Sequence, residues 1–348
     1  MDGAFGRKVP ANFSIEDYDY DKALHDELSK LLCDDKGKLN RYKFERNKYD
    51  IFELLSENLA EVLPNSVASS LDKFTEIRRV PQGARPEFRV VRGKQRGKQF
   101  VTRATESGNY EAFRLDRDHF DLYIHAFGGS GYVDFERYLD GIENMTDIYE
   151  VIQDGLIDRI YELVQDTLLA TWNLAGRPAR NKVIANNFDA AAMQGLINTV
   201  AAYGAPVIYC SPQFAAEMAN VIVYNGTVKI SDEDMREVRD RGYIGVFHGV
   251  PVVVMPQSFV DETNTKYATN PSFAFVIPAG KEKIVKLIFE GMPYFREWEH
   301  EGDNSVQLQA YVKVGCAVVS TPNYWGIYYN KGIDAGGWED YNKKLVGE

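Results

Sequence analysis

A chain of 348 residues that is 45 % hydrophobic and 13 % aromatic carries more apolar material than one core absorbs, which predicts two packed units plus extensions. Its formal net charge of −11 argues against a molecule whose main surface grips nucleic acid, because such binding runs on excess Lys and Arg against phosphates. No stretch approaches the ~18 consecutive apolar residues of a membrane span, the opening MDGAFGRKVPANF lacks the apolar run of a secretory leader, and Cys33, Cys210 and Cys316 have neither metal-ligand nor disulfide-framework spacing. The expectation is a protein that stays in the cytoplasm where it is made, with reduced thiols and with Cys210 and Cys316 buried in their apolar runs.

From Ser14 to Leu63 the pattern is helical. Leu24, Leu28, Leu31 and Leu32 fall on one face, and Ile51, Leu55, Leu59 and Val62 on another. Asp34-Asp35-Lys36-Gly37 separates the two helices, and Pro64 is expected to end the second.

The segment TEIRRVPQGARPEFRVVRGKQRGKQFVTR from Thr75 carries Arg78, Arg79, Arg85, Arg89, Arg92, Lys94, Arg96, Lys98 and Arg103 against only Glu76 and Glu87. The rest of the chain is therefore more acidic than the total of −11, so a basic finger sits on an acidic body. Phe88–Arg92 and Gln99–Thr102 read as short strands joined by the glycine-bracketed turn Gly93-Lys94-Gln95-Arg96-Gly97. An isolated two-stranded hairpin is marginal in water, so this one is expected to lie on another surface, its own body or a neighbour's. Alternation of Arg and Lys with Phe and Val would suit a nucleic acid. A complementary protein contact would instead give orientation and register, and the acidic helix further along the chain favours that second reading.

After a strand-like stretch, Leu122 to Phe127, the run Gly128-Gly129-Ser130-Gly131 reads as a flexible connector. A long uninterrupted helix is predicted from about Thr146 to Trp172. Ile148, Ile152, Leu156, Ile160, Leu163, Val164 and Leu168 form its apolar face, and Asp147, Glu150, Asp154, Asp158, Glu162 and Asp166 form an acidic stripe. At 1.5 Å per residue it would be about 40 Å long, a spine for the subunit.

From Ala191 to about Phe289 helices and strands alternate. A small-residue helix (Ala191 to Ala202) precedes a strand (Ala205 to Cys210), then SPQFAAEMAN with Ser211 as N-cap and Pro212 at the first helical position. A turn at Asn225-Gly226 comes next, then strands at Tyr243–Phe247 and Val250–Met255 across the turn His248-Gly249, and a strand from Phe273 to Ile277. Lys283–Phe289, Gln307–Val319 and Trp325–Tyr329 are strand-like and are expected to pair with strands that precede the α/β unit, which makes that unit an insertion. The polar, glycine-bearing segment from Asn330 reads as a loose tail.

Little in the chain points to catalysis. His25, His119, His125, His248 and His300 show no metal-ligand spacing. The glycine run at 128–131 lacks the Lys-Ser/Thr ending of a phosphate loop, and no nucleophile elbow occurs. His248 reads as a turn residue.

The order of a helical arm, a basic extended hairpin, a spine helix, an inserted α/β unit and a return to strands resembles the tailed-bacteriophage major capsid family, whose fold is called Hong Kong 97-like. The passages that carry the resemblance are TDIYEVIQDGLIDRIYELVQDTLLATW from Thr146, APVIYCSPQFAAEM from Ala205, GYIGVFHGVPVVVMPQ from Gly242 and VQLQAYVKVGCAVVSTPNYWGIY from Val306. The resemblance implies an α+β architecture with an N-terminal arm (1–74), an extended β-hairpin loop (75–118) and a peripheral domain (119–190 and 290–335) holding the spine helix (about 146–172). An inserted α/β axial domain (191–289) and a C-terminal tail (336–348) complete it.

It implies hexamers and pentamers closing into an icosahedral shell around packaged double-stranded DNA, which is held by proximity without sequence specificity. Portal, scaffold or maturation protease would be further partners. No cofactor, metal, membrane or enzymatic activity is expected, and the protein would be found in the virion after assembly in the host cytoplasm. Arg78, Arg79, Arg89, Arg92, Lys94, Arg96 and Lys98 would then lie over a neighbour's Asp147, Glu150, Asp154 and Asp158. Two alternatives stand beside this reading: an encapsulin-type nanocompartment, which a neighbouring cargo gene would reveal, and a nucleic-acid-binding protein using residues 78–103, which steep salt dependence would reveal.

Overall fold

In the computed structural model the described residues are 41–71, 74–84, 87–91, 117–122, 124–133, 145–174, 176–224, 243, 245–279, 283–299, 306–320 and 322–347. The first predicted arm helix, the predicted strand Gln99–Thr102 and the turn at Asn225-Gly226 lie outside them. Helix α1 (Arg41–Leu71) contains Pro64 instead of stopping at it. Proline removes one backbone donor and leaves the carbonyl four residues back without its helical partner. That carbonyl belongs to Ala60, and the Arg79 guanidinium donates to it. The helix can therefore run on, and Leu59, Leu63, Val67 and Leu71 enter the core one turn apart.

A four-stranded sheet is built from segments on both sides of the α/β unit. β1 (Thr75–Val80) pairs in parallel with β10 (Val285–Glu299), which pairs antiparallel with β11 (Val306–Val318), which pairs antiparallel with β4 (Ile124–Val133). The basic segment therefore begins inside a sheet, since Thr75 is buried and Ile77 packs on the core; only the residues after β1 can be finger. The glycine run is a correction of the same kind. Gly128 to Gly131 lie within β4, opposite Tyr311 to Leu308, and are no connector. A side chain at Gly129 would meet Ile152 at 3.3 Å and one at Gly128 would meet the Ala310 carbonyl at 3.1 Å. Glycine is there because helix α2 (Met145–Ala170) lies directly on the strand.

Helix α2 is the spine. Ile152, Leu156, Ile160, Val164 and Leu168 are buried along one face, with Trp172 beyond its end. They join α1, the four-stranded sheet and one face of a second sheet in one core.

That second sheet has six strands in the order β5-β12-β9-β6-β8-β7. They are β5 (Lys182–Ala185), β6 (Ala205–Cys210), β7 (Val246–Phe247), β8 (Val250–Val254), β9 (Phe273–Ala279) and β12 (Gly326–Asn330). Helices α3 (Ala190–Ala201) and α4 (Pro212–Tyr224) cover its other face, where Met193, Leu196, Val200 and Phe214 meet Ile208, Val276 and Tyr328. The predicted cap of α4 is present, with the Phe214 N–H donating to Ser211 Oγ at 3.1 Å. The predicted turn between β7 and β8 has positive φ at both His248 (48°) and Gly249 (79°), the two-residue hairpin geometry that glycine favours.

Lys283–Phe289 and Gln307–Val319 return to strands of the four-stranded sheet, and Trp325–Tyr329 returns to β5, which also precedes the α/β unit, while joining that unit's own β9 on its other side. β12 pairs in parallel with β5 and antiparallel with β9, inside the six-stranded sheet. All five of its residues are buried, because the sheet is covered on both faces: Ile327 and Tyr329 face the large core and Tyr328 faces α3 and α4.

The segment after Asn330 is not loose but docked. Helix α5 (Glu339–Val346) comes directly after Trp338, whose Nε1 donates to the Tyr267 carbonyl at 2.9 Å. Asn173 Nδ2 donates to the Leu345 carbonyl at 2.7 Å. Beneath the helix, Gln165 exchanges hydrogen bonds with the backbone of Asn270 at 2.7 and 2.6 Å, and Asn270 Nδ2 donates to Asn342 Oδ1 at 2.5 Å. A buried polar network satisfied in this way fixes one arrangement of α2, the segment leading into β9, and α5.

Candidate assembly surface

The described residues contain no group of three His, Cys, Asp or Glu side chains placed to hold a metal ion, and no helix among them is long and apolar enough to cross a membrane. His248 is an exposed turn residue. Cys210 is buried and burial pushes its thiol up to about 12; Cys316 is half-buried, yet burial of its thiol raises it equally, to about 12. Neither is an activated nucleophile.

The most elaborated surface lies at the root of the basic loop. β2 (Glu87–Val91) pairs antiparallel with β3 (Arg117–Asp121), from Glu87 opposite Asp121 to Val91 opposite Arg117. The ribbon observed at its base is thus wider than the hairpin predicted between Phe88–Arg92 and Gln99–Thr102; its strands enclose residues 92–116, and no short-range turn signal reports so distant a partner. Phe88, only 5 % exposed, anchors the ribbon on Ile288 and Val319 of the four-stranded sheet's outer face.

Charge surrounds that anchor. The Arg78 guanidinium lies 5.4 Å and the Lys286 ammonium 5.8 Å from the centroid of the Phe88 ring. Glu76 accepts from both cations. Burial works to raise the Glu76 carboxyl, but hydrogen bonds and charge from Lys286 and then Arg78 prevail and hold it below its ordinary value. Exposed ion pairs contribute about 0–1 kcal/mol, whereas burying a Phe contributes roughly 1.5–3 kcal/mol. The ring therefore holds the root, and the charges orient it.

The predicted contact residues divide into groups. Arg78 and Arg79 are engaged within the subunit, by Glu76 and by the Ala60 carbonyl. Arg89 lies in β2 opposite His119, and Arg92, Lys94, Arg96 and Lys98 fall outside the described residues. Asp147 and Glu150 belong to the first turns of α2. Asp154 is exposed on the spine, while Asp158 accepts from Ser258 Oγ at 2.6 Å. The acidic stripe is therefore partly spent inside the subunit; at its far end burial, helped by the Glu162 charge, pushes Asp166 up to about 6.

Sequence reasoning missed a second surface feature. On the outer face of the four-stranded sheet Tyr294 stands opposite Tyr311, and Tyr311 opposite Gly128. Both tyrosines are exposed, at 56 % and 42 %. With Ser130 and Gln309 they line a cleft of about 460 Å³. Period-two alternation along β10 and β11 was the available signal.

Residues 18–320 match the family described as "SPbeta prophage-derived putative capsid protein YonB". No curated protein sequence matches the chain. Among solved structures, the capsid of a native GTA particle aligns with a TM-score of 0.53 and 14 % identity, over 76 % of this chain and 90 % of that one. Mycobacterium phage Ogopogo aligns at 0.50 and 11 % identity over 75 % and 91 %, and Microbacterium phage Oxtober96 at 0.50 and 10 % over 75 % and 90 %. These likenesses establish the fold, which is the mixed helix-and-sheet Hong Kong 97-like capsid fold.

Proposed function

The chain belongs to the YonB family of SPbeta prophage-derived capsid proteins, and from that premise we propose that this shell-forming subunit assembles as hexamers and pentamers into an icosahedral shell enclosing double-stranded DNA. The observation that carries the reading is the loop root. The two-stranded ribbon from which the basic segment leaves the described structure is pinned at its base by the buried Phe88, a fixed root that supports a loop contact with a neighbour. Arg89, Arg92, Lys94, Arg96 and Lys98 lie over the spine helix of an adjacent subunit, where Asp154 is exposed and Asp147 and Glu150 occupy the same helix. Arg78 and Arg79 act within the subunit instead. Portal, scaffold or maturation protease act during assembly, and the DNA is held without sequence specificity.

Negative-stain electron microscopy of the protein, expressed alone and with its neighbouring genes, tests this. Closed shells or rings of five and six are expected, and reversal of the five loop charges should abolish them while the subunit still melts cooperatively. A uniform monomer or dimer under both conditions overturns the reading. Shells that enclose a protein cargo in place of DNA would assign the subunit to a nanocompartment.

A further inference from the structure

The cleft on the outer face of the four-stranded sheet has a chemistry that neither the core nor the loop root uses. Its outward positions fall in two rows. Tyr294, Tyr311 and Gly128 stand in one line across three strands, and Gln309 and Ser130 stand side by side in the next. Both rings are exposed, Ser130 is exposed and Gln309 is half-buried. Among the described residues, no hydrogen bond, ion pair or ring contact engages these four side chains.

Glycine shapes the hollow. Directly opposed residues of neighbouring strands place their Cβ atoms about 4.5–5.5 Å apart, so a side chain at position 128 would stand against the Tyr311 ring. Gly128 leaves that flank of the ring open, and Ser130, the next outward residue of β4, is small. The result is the cleft of about 460 Å³, within the roughly 300–1,000 Å³ of small-molecule sites. β11 is paired here on both sides, with β10 and with β4, so the platform under Tyr311 is fixed before any ligand arrives.

The groups presented select a ligand class. An aromatic face is electrically negative and attracts the weakly positive C–H face of a sugar ring. The Gln309 amide, the Ser130 hydroxyl and the phenolic groups each donate and accept, which suits a rim of hydroxyls. Bases of a single strand would also stack on such rings, but that binding runs in a basic groove. No charged side chain is among the described residues that border the cleft, and Lys313, the next outward residue of β11 after Tyr311, is paired with Glu290 at 3.6 Å.

We propose that this cleft binds a neutral saccharide, one sugar ring stacking on Tyr311 above Gly128, Tyr294 closing the side, and hydroxyls bonding to Gln309 and Ser130. The site is independent of the shell reading. It gives the protein an affinity that folding and assembly do not require.

Saturation-transfer NMR and titration calorimetry on the full-length protein test it, with maltotriose, cellotriose and tri-N-acetylchitotriose as probes. Saturable binding of at least one probe is expected. Tyr294→Ala with Tyr311→Ala should weaken it at least about tenfold, whereas Tyr311→Phe, which keeps the stacking face, should cost less than about threefold. Should the double truncation unfold the chain, as a thermal melt will report, Gln309→Ala carries the test with an expected loss of about threefold or more.

Absence of binding by all three probes at millimolar concentration overturns the site. Binding that survives the loss of both rings in a folded variant overturns it as well. So does a wild-type protein that binds no probe while the double variant loses particle assembly, which makes the surface a contact between copies, or loses binding of oligothymidylate, which makes it a stacking site for nucleic acid.

Discussion

The two sheets spend their apolar surface in different ways. In the six-stranded sheet β12 is buried along its whole length and β9 along all but Ala279. Phe273, Phe275 and Ile277 face the large core while Ala274 and Val276 face α3 and α4. In the four-stranded sheet Leu287, Phe289, Val312 and Val314 face inward, and among the described residues Phe88 covers the outer face only around Ile288 and Val319. Tyr294 and Tyr311 remain exposed on it. A sheet sandwiched on both sides is a folding unit, while a sheet open on one side still has surface to give to a partner.

The comparison can be broken first at β9. Phe275→Ala should cost about 3–5 kcal/mol, because a void between two covered faces cannot collapse, and a denaturant melt should show most of the subunit's stability gone. Tyr294→Ala together with Tyr311→Ala should cost under about 1 kcal/mol, since exposed rings lose little on truncation. If the two variants melt alike, the division between the sheets is wrong.

A third effect, small and dependent on pH, sharpens the boundary between spine and C-terminal helix. Asp166 is raised to about 6 from 3.8 by burial and then by Glu162, and its charge in turn raises Tyr341 on α5, after burial there. A carboxyl raised on folding binds its proton more tightly in the folded state. Its stabilising contribution is whole below about pH 4 and is lost as pH rises through about 6. Asp166→Asn should therefore raise stability at pH 7.5 by about 1 kcal/mol after allowance for solvent screening, and leave it unchanged near pH 3.5, as paired thermal melts will report.

Locally encoded features were legible in advance. Four-residue spacing gave the spine, Ser211-Pro212 gave the start of α4, and His248-Gly249 gave the hairpin between β7 and β8, each because the signal and its cause lie within a few residues. The features that escaped depend on partners far along the chain. Pro64 sits inside a helix because Arg79 reaches Ala60. Gly128–Gly131 form a strand because Ile152 presses on Gly129. The segment after Asn330 folds because Gln165, Asn173, Tyr267 and Asn270 await it. The candidate surface was half legible: charge composition located the basic segment, but composition could not tell that Arg78 and Arg79 are used internally, nor that Phe88 is the pin.

The position of β12 also sets a schedule. Residues 326–330 form the last described strand in chain order, yet they separate β5 from β9, one strand in from the edge of the sheet. A nascent chain still attached to the ribosome has β5 waiting without its neighbour and a core without Trp325 and Tyr328, both fully buried in the finished subunit. Because non-local strand pairing comes late and slowly, synthesis must pass residue 330 before a subunit can be rigid enough to join others. The fold itself thus keeps half-made chains out of the growing particle.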